Sequence, residues 1–350
     1  MVERKDQNKI IKTLSVLGEA MVLWGENKPK ESFNKFVAEP YFDQMNSIIQ
    51  SEQHHNGWFT PENVRESLLN LGLLLTEENL SNWINEYNFK GGGKRVGLIM
   101  AGNIPLVGFH DFISTLLSGN DAIVKLSSDD KRLLPELISI LQDLQPELKD
   151  RIEIVEKLTK VDAVIATGSN NSARYFEKYF GHLPNIIRMN RTSVAVLTGD
   201  ESEEELKELG KDIFTYYGLG CRNVSHLLLP KDFDLDRIFS SIIDYGEIIN
   251  HNKYANNYDY YKAIYLMNRE EILENGFVLT RESDELFAPI AVLHYQRYTD
   301  KNEVDKFLSK HKGEIQAVVG RENIPFGKAQ SPRINDYADG VDTMAFLSEL

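Results

Sequence analysis

Hydrophobic and polar positions follow two regimes along the chain, and the change between them comes at Gly91-Gly92-Gly93. The residues before it carry helical patterning, with start signals at Thr60-Pro61-Glu62 and Thr76-Glu77-Glu78, where a capping hydroxyl precedes an acidic first turn. After it, short apolar runs alternate with amphipathic stretches. They read VGLIM (96–100), a helix from Leu106 to Ser118 stopped by Gly119-Asn120, AIVKL (122–126), and a helix from Asp129 to Leu144. IEIV (152–155), VDAVIAT (161–167) and a helix from Asn170 to Phe180 follow. Such alternation predicts parallel strands joined by helical crossovers, hence a doubly wound α/β sheet. A second set begins near Ser193 with SVAVL (193–197), a charged helix from Glu201 to Tyr217, VSHLLL (224–229) and a helix after Asp232. The apolar runs YKAIYLM (261–267), APIAVLHY (288–295) and IQAVVG (315–320) complete a second α/β unit. At 350 residues two packed domains are the natural expectation, with residues 1–190 in the first and 191–350 in the second.

Composition narrows the function classes. No apolar run approaches the roughly 18 residues that would span a bilayer, and MVERKDQNKIIKTL at the N-terminus has no apolar block with a cleavage site behind it. The expectation is a cytoplasmic protein without membrane insertion. A net charge of −14 argues against nucleic acid, which needs a basic face. Anionic cofactors are compatible with it, because a helix N-terminus and one or two cations suffice. A single cysteine, Cys221, excludes an intramolecular disulfide and a multi-cysteine zinc site, and the histidines show no ligand spacing, so no metal is expected.

Candidate chemistry gathers where strands end. Met100-Ala101-Gly102-Asn103-Ile104-Pro105-Leu106 joins a buried strand to a helix, at the end where open α/β sheets bind ligands. Lys125-Leu126-Ser127-Ser128 brings a cation and hydroxyls to the next strand end, and Ala166-Thr167-Gly168-Ser169-Asn170 brings a glycine and a helix start to a third. Taken singly, each is an ordinary turn or solvated strand end. Three in succession suit a dinucleotide, which crosses adjacent strand ends. Tyr217-Gly218-Leu219-Gly220-Cys221-Arg222-Asn223 then places the lone cysteine in a glycine-flanked loop. A lone cysteine is often a buried, inert side chain. Here glycines leave room for a substrate, and Arg222 or a nearby dipole would favour the thiolate.

The order GNIP, KLSS, ATGSN, GLGC and ELFAP resembles the aldehyde dehydrogenase superfamily over residues 95–332. Within it, RMNRTSVAVLTGDES, YYGLGCRN and FGKAQSPRINDYADGVDT are most similar to the acyl-CoA reductase subunit of the bacterial luminescence fatty-acid reductase. The resemblance implies two doubly wound α/β domains with the active site between them and extra N-terminal helices, the first domain binding a dinucleotide and the second catalytic. It implies Cys221 as nucleophile, with the Asn103 side chain and the Cys221 backbone N–H as oxyanion donors. Lys125, with Ser127 and Ser128, would serve the cofactor ribose, and Gly168 and Ser169 its pyrophosphate. Glu285 and Phe287, in an otherwise ordinary helix-to-strand connection, would hold the nicotinamide ribose and pack beside the ring.

Two departures from the oxidising relatives sharpen the expectation. Their hydrolytic glutamate is replaced by Arg188, which would leave a thioacyl enzyme to be reduced instead of hydrolysed. Their ribose-binding glutamate is replaced by Ser128, which favours NADPH while leaving NADH open. His182, in Phe180-Gly181-His182-Leu183-Pro184, is the candidate proton donor, with an ordinary loop histidine as the competing reading; His226, on a strand, reads as structural. The expected reaction is reduction of a fatty acyl-CoA or acyl thioester to the aldehyde. A reductase of another activated acyl group, or a non-catalytic acyl- or protein-binding relative, is the alternative. An acyl-activating synthetase partner and self-association into a homo-oligomer also follow from the resemblance.

Overall fold

The structure, a computed structural model, describes residues 4–350. Two compact units make up the chain, one formed by the polypeptide up to Met189 together with Arg333–Leu350, the other by Asn190–Pro332.

The first unit opens with four helices, α1 (Arg4–Gly25), α2 (Lys35–Ser51), α3 (Pro61–Leu74) and α4 (Glu77–Asn85). The start signals act as expected: Thr60 and Thr76 accept the N–H groups of Asn63 and Asn79 at 3.3 and 3.1 Å. Then come β1 (Arg95–Ile99), α5 (Phe109–Leu117), β2 (Asp121–Lys125), α6 (Leu133–Leu144), β3 (Ile152–Ile154), β4 (Ala163–Thr167), α7 (Asn170–Phe180) and β5 (Asn185–Arg188). The strands form an all-parallel sheet in the order β3-β2-β1-β4-β5, with Val96 opposite both Ala122 and Ala163. Central strands covered on both faces need apolar residues throughout, and β1 is buried from Val96 to Ile99.

The N-terminal helices are part of this core. Leu14, Met21 and Trp24 of α1 belong to one apolar cluster with Phe112 of α5 and Leu137 of α6. The contact between α1 and α3 is close enough that a Cβ on Gly72 would lie 2.8 Å from the Gly18 carbonyl oxygen.

The second unit runs β6 (Thr192–Val196), α8 (Glu203–Phe214), β7 (Val224–Pro230), α9 (Asp236–Ser241), α10 (Asn252–Asn268), β8 (Leu273–Glu274), β9 (Leu279–Glu282), β10 (Val292–Tyr298), α11 (Lys301–Lys310) and β11 (Ile315–Val319). Its sheet order is β11-β6-β7-β10-β9-β8, parallel except for the edge strand β8. A capping box between Ser202 and Glu205 starts α8. The apolar run 261–267 is the second half of α10, whose buried face is Tyr254, Tyr258 and Tyr265 at helical spacing.

The tail departs from the linear division at residue 190. Residues 333–350, ending in α12 (Thr343–Ser348), return to the first unit. Tyr337 accepts from Trp83 Nε1 at 2.7 Å, Tyr87 donates to Asp342 at 2.9 Å, and Asn120 donates to the Leu347 carbonyl at 3.2 Å. These partners lie too far apart in sequence for any local pattern to announce them. Among the described residues, no helix is long and apolar enough to cross a membrane.

Candidate active site

In the first unit, the three loops expected to meet a nucleotide leave the carboxyl ends of β2, β1 and β4, which are neighbours in the sheet. The loop after β1 turns sharply. Leu106 has φ 59°, so the expected helix start at this residue moves to Phe109. A left-handed L-residue costs about 1 kcal/mol or more and persists only where its surroundings hold it. Two buried groups do so: the Leu106 N–H donates to Asp130 Oδ2 at 2.8 Å, and the Pro105 carbonyl accepts from Ser67 Oγ of α3 at 2.7 Å. Asn103, three residues upstream, is left exposed.

Asp130 also shapes the loop after β2. Ser127 and Asp130 form an isolated bridge, Ser127 Oγ accepts from the Asp129 N–H at 3.2 Å, and α6 therefore begins at Leu133 instead of Asp129. A Cβ on Gly102 would lie 2.5 Å from Ser127 Oγ, so the two loops touch at a point where only glycine fits. Lys125 and Ser127 are half-buried, and Ser128 is exposed at the tip. Burial pushes the Asp130 carboxyl up to about 6, aided by the charge of Glu52 and opposed by the N–H groups of Leu106 and Leu133.

Ser169 caps α7, accepting from the Ser172 N–H at 3.2 Å, and a Cβ on Gly168 would meet Ser172 and Phe176 at 2.9 Å. The exposed α7 N-terminus, the Lys125 ammonium and the hydroxyls of Ser127, Ser128 and Ser169 make a donor-rich, cationic edge. This chemistry fits the ribose and pyrophosphate of a dinucleotide.

In the second unit the approach to Cys221 is conformationally unusual. The expected helix through Tyr217 stops at Phe214, and Tyr216 (φ 55°), Tyr217 (φ 58°) and Gly218 (φ 77°) follow in left-handed conformation. Packing holds the two aromatics: Tyr216 is buried, and Tyr217 stacks on His251 with ring centroids 4.2 Å apart. The main fastener is Asn223, which is buried. Its Oδ1 accepts from the Gly220 N–H at 2.8 Å, while Nδ2 reaches the carbonyls of Asp212, Ile213 and Thr215 at 3.0, 3.2 and 2.8 Å. The Asn223 N–H donates to the Gly220 carbonyl at 3.0 Å, closing a turn with Cys221 at its first inner position. Ser193 Oγ of β6 donates to the Cys221 carbonyl at 3.0 Å, and Cys221 is half-buried.

Arg222 Nη1 donates to the Ala329 carbonyl at 3.4 Å. Buried Asp212 accepts the N–H groups of Gly327 and Ala329 at 2.7 and 2.9 Å, fixing the same segment; burial pushes its carboxyl up to about 6 against those two donors.

The Glu285 loop alternates in exposure. Glu285 and Phe287 are exposed, while Leu286 between them enters an apolar cluster with Val194, Leu228, Val304 and Phe307. Glu285 Oε2 lies 3.8 Å from Arg281 Nη1, and the Glu285 N–H donates to Ser283 Oγ at 3.1 Å.

A family profile described as acyl-CoA reductase (LuxC) matches residues 62–237, half of the chain. The chain belongs to the acyl-CoA reductase (LuxC) family. It is thus an oxidoreductase of the class acting on acyl or aldehyde groups, and the matched span runs from α3 through the three strand-end loops and Cys221 to α9. Comparison with curated proteins returned no match.

Solved structures share the fold of this family member. An aldehyde dehydrogenase of Mycobacterium tuberculosis complexed with NAD+ is 14% identical, with a TM-score of 0.60 over 85% of this chain and 70% of that one. A betaine aldehyde dehydrogenase of Staphylococcus aureus in complex with NAD+ is 11% identical, with a TM-score of 0.61 over 87% and 68%. An indole-3-acetaldehyde dehydrogenase of P. syringae is 12% identical, with a TM-score of 0.60 over 89% and 71%. The fold is therefore aldehyde-dehydrogenase-like, with parallel α/β sheets and N-terminal helices.

The geometry bears on two further expectations, those for His182 and Arg188. His182 is exposed in the turn before β5, at the amino edge of a parallel sheet whose carboxyl edge carries Asn103, Lys125 and Ser169. The four residues of β5 alone separate those edges by about 13 Å, so His182 does not lie beside Asn103. Arg188, at the carboxyl end of β5, is buried. It pairs with Asp111 of α5 at 2.5 Å and donates to Thr343 of α12 at 2.8 Å. Arg188 is thus a fastener between α5, β5 and the returning tail.

Asp130, Ser67, Asn223, Asp212 and Ser193 are supports that the sequence reading missed. Asn223, two residues after Cys221, and Asp130, two residues after Ser128, lay close enough along the chain to be noticed.

Proposed function

We propose that the chain reduces a fatty acyl-CoA, or another acyl thioester, to the aldehyde with NADPH through a thioacyl intermediate on Cys221. One observation carries the reading: a half-buried lone cysteine occupies a turn fastened by hydrogen bonds from Asn223 and Ser193, behind three left-handed residues. Strained backbone of this kind concentrates at sites where a group must be aimed.

The Cys221 thiolate attacks the acyl carbon, and the carbonyl oxygen becomes an oxyanion stabilised by the Asn103 side-chain N–H and the Cys221 backbone N–H. Collapse expels the thiolate of CoA and leaves the acyl group as a thioester on Cys221. A nicotinamide nucleotide held at this site would supply the hydride that the acyl carbon accepts. The same two donors stabilise the second oxyanion, and its collapse returns the thiolate to Cys221 and releases the aldehyde. Lys125, Ser127, Ser128, Gly168 and Ser169 would hold the adenosine ribose and pyrophosphate, and Glu285 and Phe287 the nicotinamide ribose and ring.

The choice of NADPH rests on Ser128, an exposed hydroxyl that would donate to a 2′-phosphate, with Lys131 exposed three residues on. Exposed Asp129 beside it favours free ribose hydroxyls, so the test includes NADH. We propose a cytoplasmic setting for this reaction, where thiols stay reduced. An acyl-activating synthetase is the proposed supplier of the acyl group.

The test is intact mass after mixing with short- and long-chain acyl-CoA, followed by the loss of reduced-nicotinamide absorbance with NADPH and with NADH. Wild type should gain one acyl group, Cys221→Ala none, and NADPH should be oxidised faster with long chains. A wild-type protein that forms no adduct and oxidises neither cofactor refutes the proposal.

A further inference from the structure

His226 of β7 and His294 of β10 are paired across adjacent parallel strands, and both are fully buried. Both turn Nδ1 toward the same atom, the carbonyl oxygen of Glu285, at 3.1 and 2.9 Å. A carbonyl oxygen only accepts, so each imidazole is the tautomer that carries its proton on Nδ1. Their Nε2 atoms are buried without a hydrogen-bond partner. Two core strands thus commit one buried imidazole each to a single loop carbonyl and leave the rest of both rings unsatisfied. The His226 ring is also held against Phe307 of α11, with centroids 4.8 Å apart. Burial is what keeps the imidazoles neutral, pushing the His226 ring down to about 4 and lowering His294 as well, so both remain donors of one proton at neutral pH.

The grip falls on a residue whose neighbours are anchored differently. Leu286 is drawn into the apolar cluster and the Glu285 N–H is taken by Ser283, so the two histidines supply the remaining fixed point of the segment. With the carbonyl and the next side chain both held inward, the side chains of Glu285 and Phe287 project outward.

We propose that His226 and His294 are positioning residues that together fix the Glu285–Phe287 segment for the nicotinamide ribose. The inference rests on the nucleotide reading of that segment given above. Neither histidine touches the reacting atoms; both act through the Glu285 backbone. Substituting His294 by Leu removes one donor while keeping an apolar side chain in the core. His294→Asn restores an amide N–H near the place of Nδ1.

The first readout needs no variant to bind anything. Nitrogen-15 spectra of the wild-type protein labelled at histidine should show two imidazoles protonated at Nδ1 at neutral pH, with His294→Asn, or His226→Asn if that variant does not fold, assigning the signals. Both rings protonated at Nε2 would overturn the proposal. The second readout is equilibrium binding of NADPH followed by its own fluorescence. We expect His294→Leu to weaken binding about fivefold, the loss of one neutral hydrogen bond, with His294→Asn within about twofold of wild type. KM for NADPH should rise with the same ratio, and acylation of Cys221 should proceed at the wild-type rate. Glu285→Gln separates the two levels of the argument. If it weakens NADPH binding while His294→Leu does not, the histidine proposal falls and the nucleotide reading stands. If neither variant changes binding, the nucleotide reading of this segment falls and takes the proposal with it.

Discussion

Replacing Asn223 by Ala tests whether the cysteine turn is held by one side chain. Asn223 is 1% exposed and engages the Gly220 N–H and the carbonyls of Asp212, Ile213 and Thr215. At about 1 kcal/mol net for each hydrogen bond, loss of the four interactions costs up to about 4 kcal/mol. Release of the left-handed Tyr216 and Tyr217 returns about 1 kcal/mol for each. A net loss of about 2 kcal/mol in a unit of this size lowers its melting temperature by roughly 4 to 8 °C. Turnover should fall further than stability explains, because the turn also aims the proposed backbone oxyanion donor, and a misplacement of about 1 Å costs on the order of a hundredfold. The assay is thermal unfolding by circular dichroism beside acyl-CoA reduction at a temperature where the variant is fully folded. Alkylation of the single thiol by iodoacetamide confirms that Cys221 is present and accessible in both proteins. A variant with wild-type melting and wild-type turnover would refute the reasoning.

Asn103→Ala should leave melting unchanged, since the side chain is exposed, and slow turnover about a hundredfold, the worth of one oxyanion donor near 3 kcal/mol; unaltered turnover would exclude Asn103 from the chemistry. Arg188→Glu should not create a hydrolase, because it sets a second carboxylate against buried Asp111 and destabilises the first unit by about 3 to 5 kcal/mol; a well-folded variant that hydrolyses acyl-CoA would contradict this. Asp130 has a folded pKa of about 6, above its ordinary value of 3.8, so the folded protein binds the proton more tightly and the carboxylate carries a cost above about pH 6 that vanishes as pH falls toward 4. Asp130→Asn should therefore be more stable than wild type by up to about 3 kcal/mol near pH 7.5 and equal to it near pH 4, as read from urea unfolding at both; the reverse order would show that the charged form is preferred. His226 acts with the opposite sign, since its lowered pKa withdraws stability as pH falls from 6.5 toward 4, but it is common to both proteins and cancels in the difference.

Local signals along the chain determined a large part of this protein. Hydroxyl caps at Thr60 and Thr76, buried apolar strands such as β1, and the Gly168-Ser169 helix start each act within one turn of helix or one strand. Their physics is short-ranged, so they are legible without knowing what packs against them. The same holds for the order of strand-end segments and for the lone cysteine among glycines. Tertiary structure decided what those segments are attached to. Leu106 is left-handed because Asp130 and Ser67 hold it from other elements, and two tyrosines take conformations that favour glycine where Asn223 pins the backbone at Thr215 and Gly220 on either side and His251 stacks on Tyr217. His182 reads as a neighbour of the site in sequence and lies at the opposite edge of the sheet from Asn103, because a parallel strand must be crossed between them. Arg188 reads as a lost catalytic base, yet its buried guanidinium has partners 77 and 155 residues away that make it a fastener. A buried charge or imidazole takes its role from the groups that compensate it, and those groups are brought together only when the chain folds.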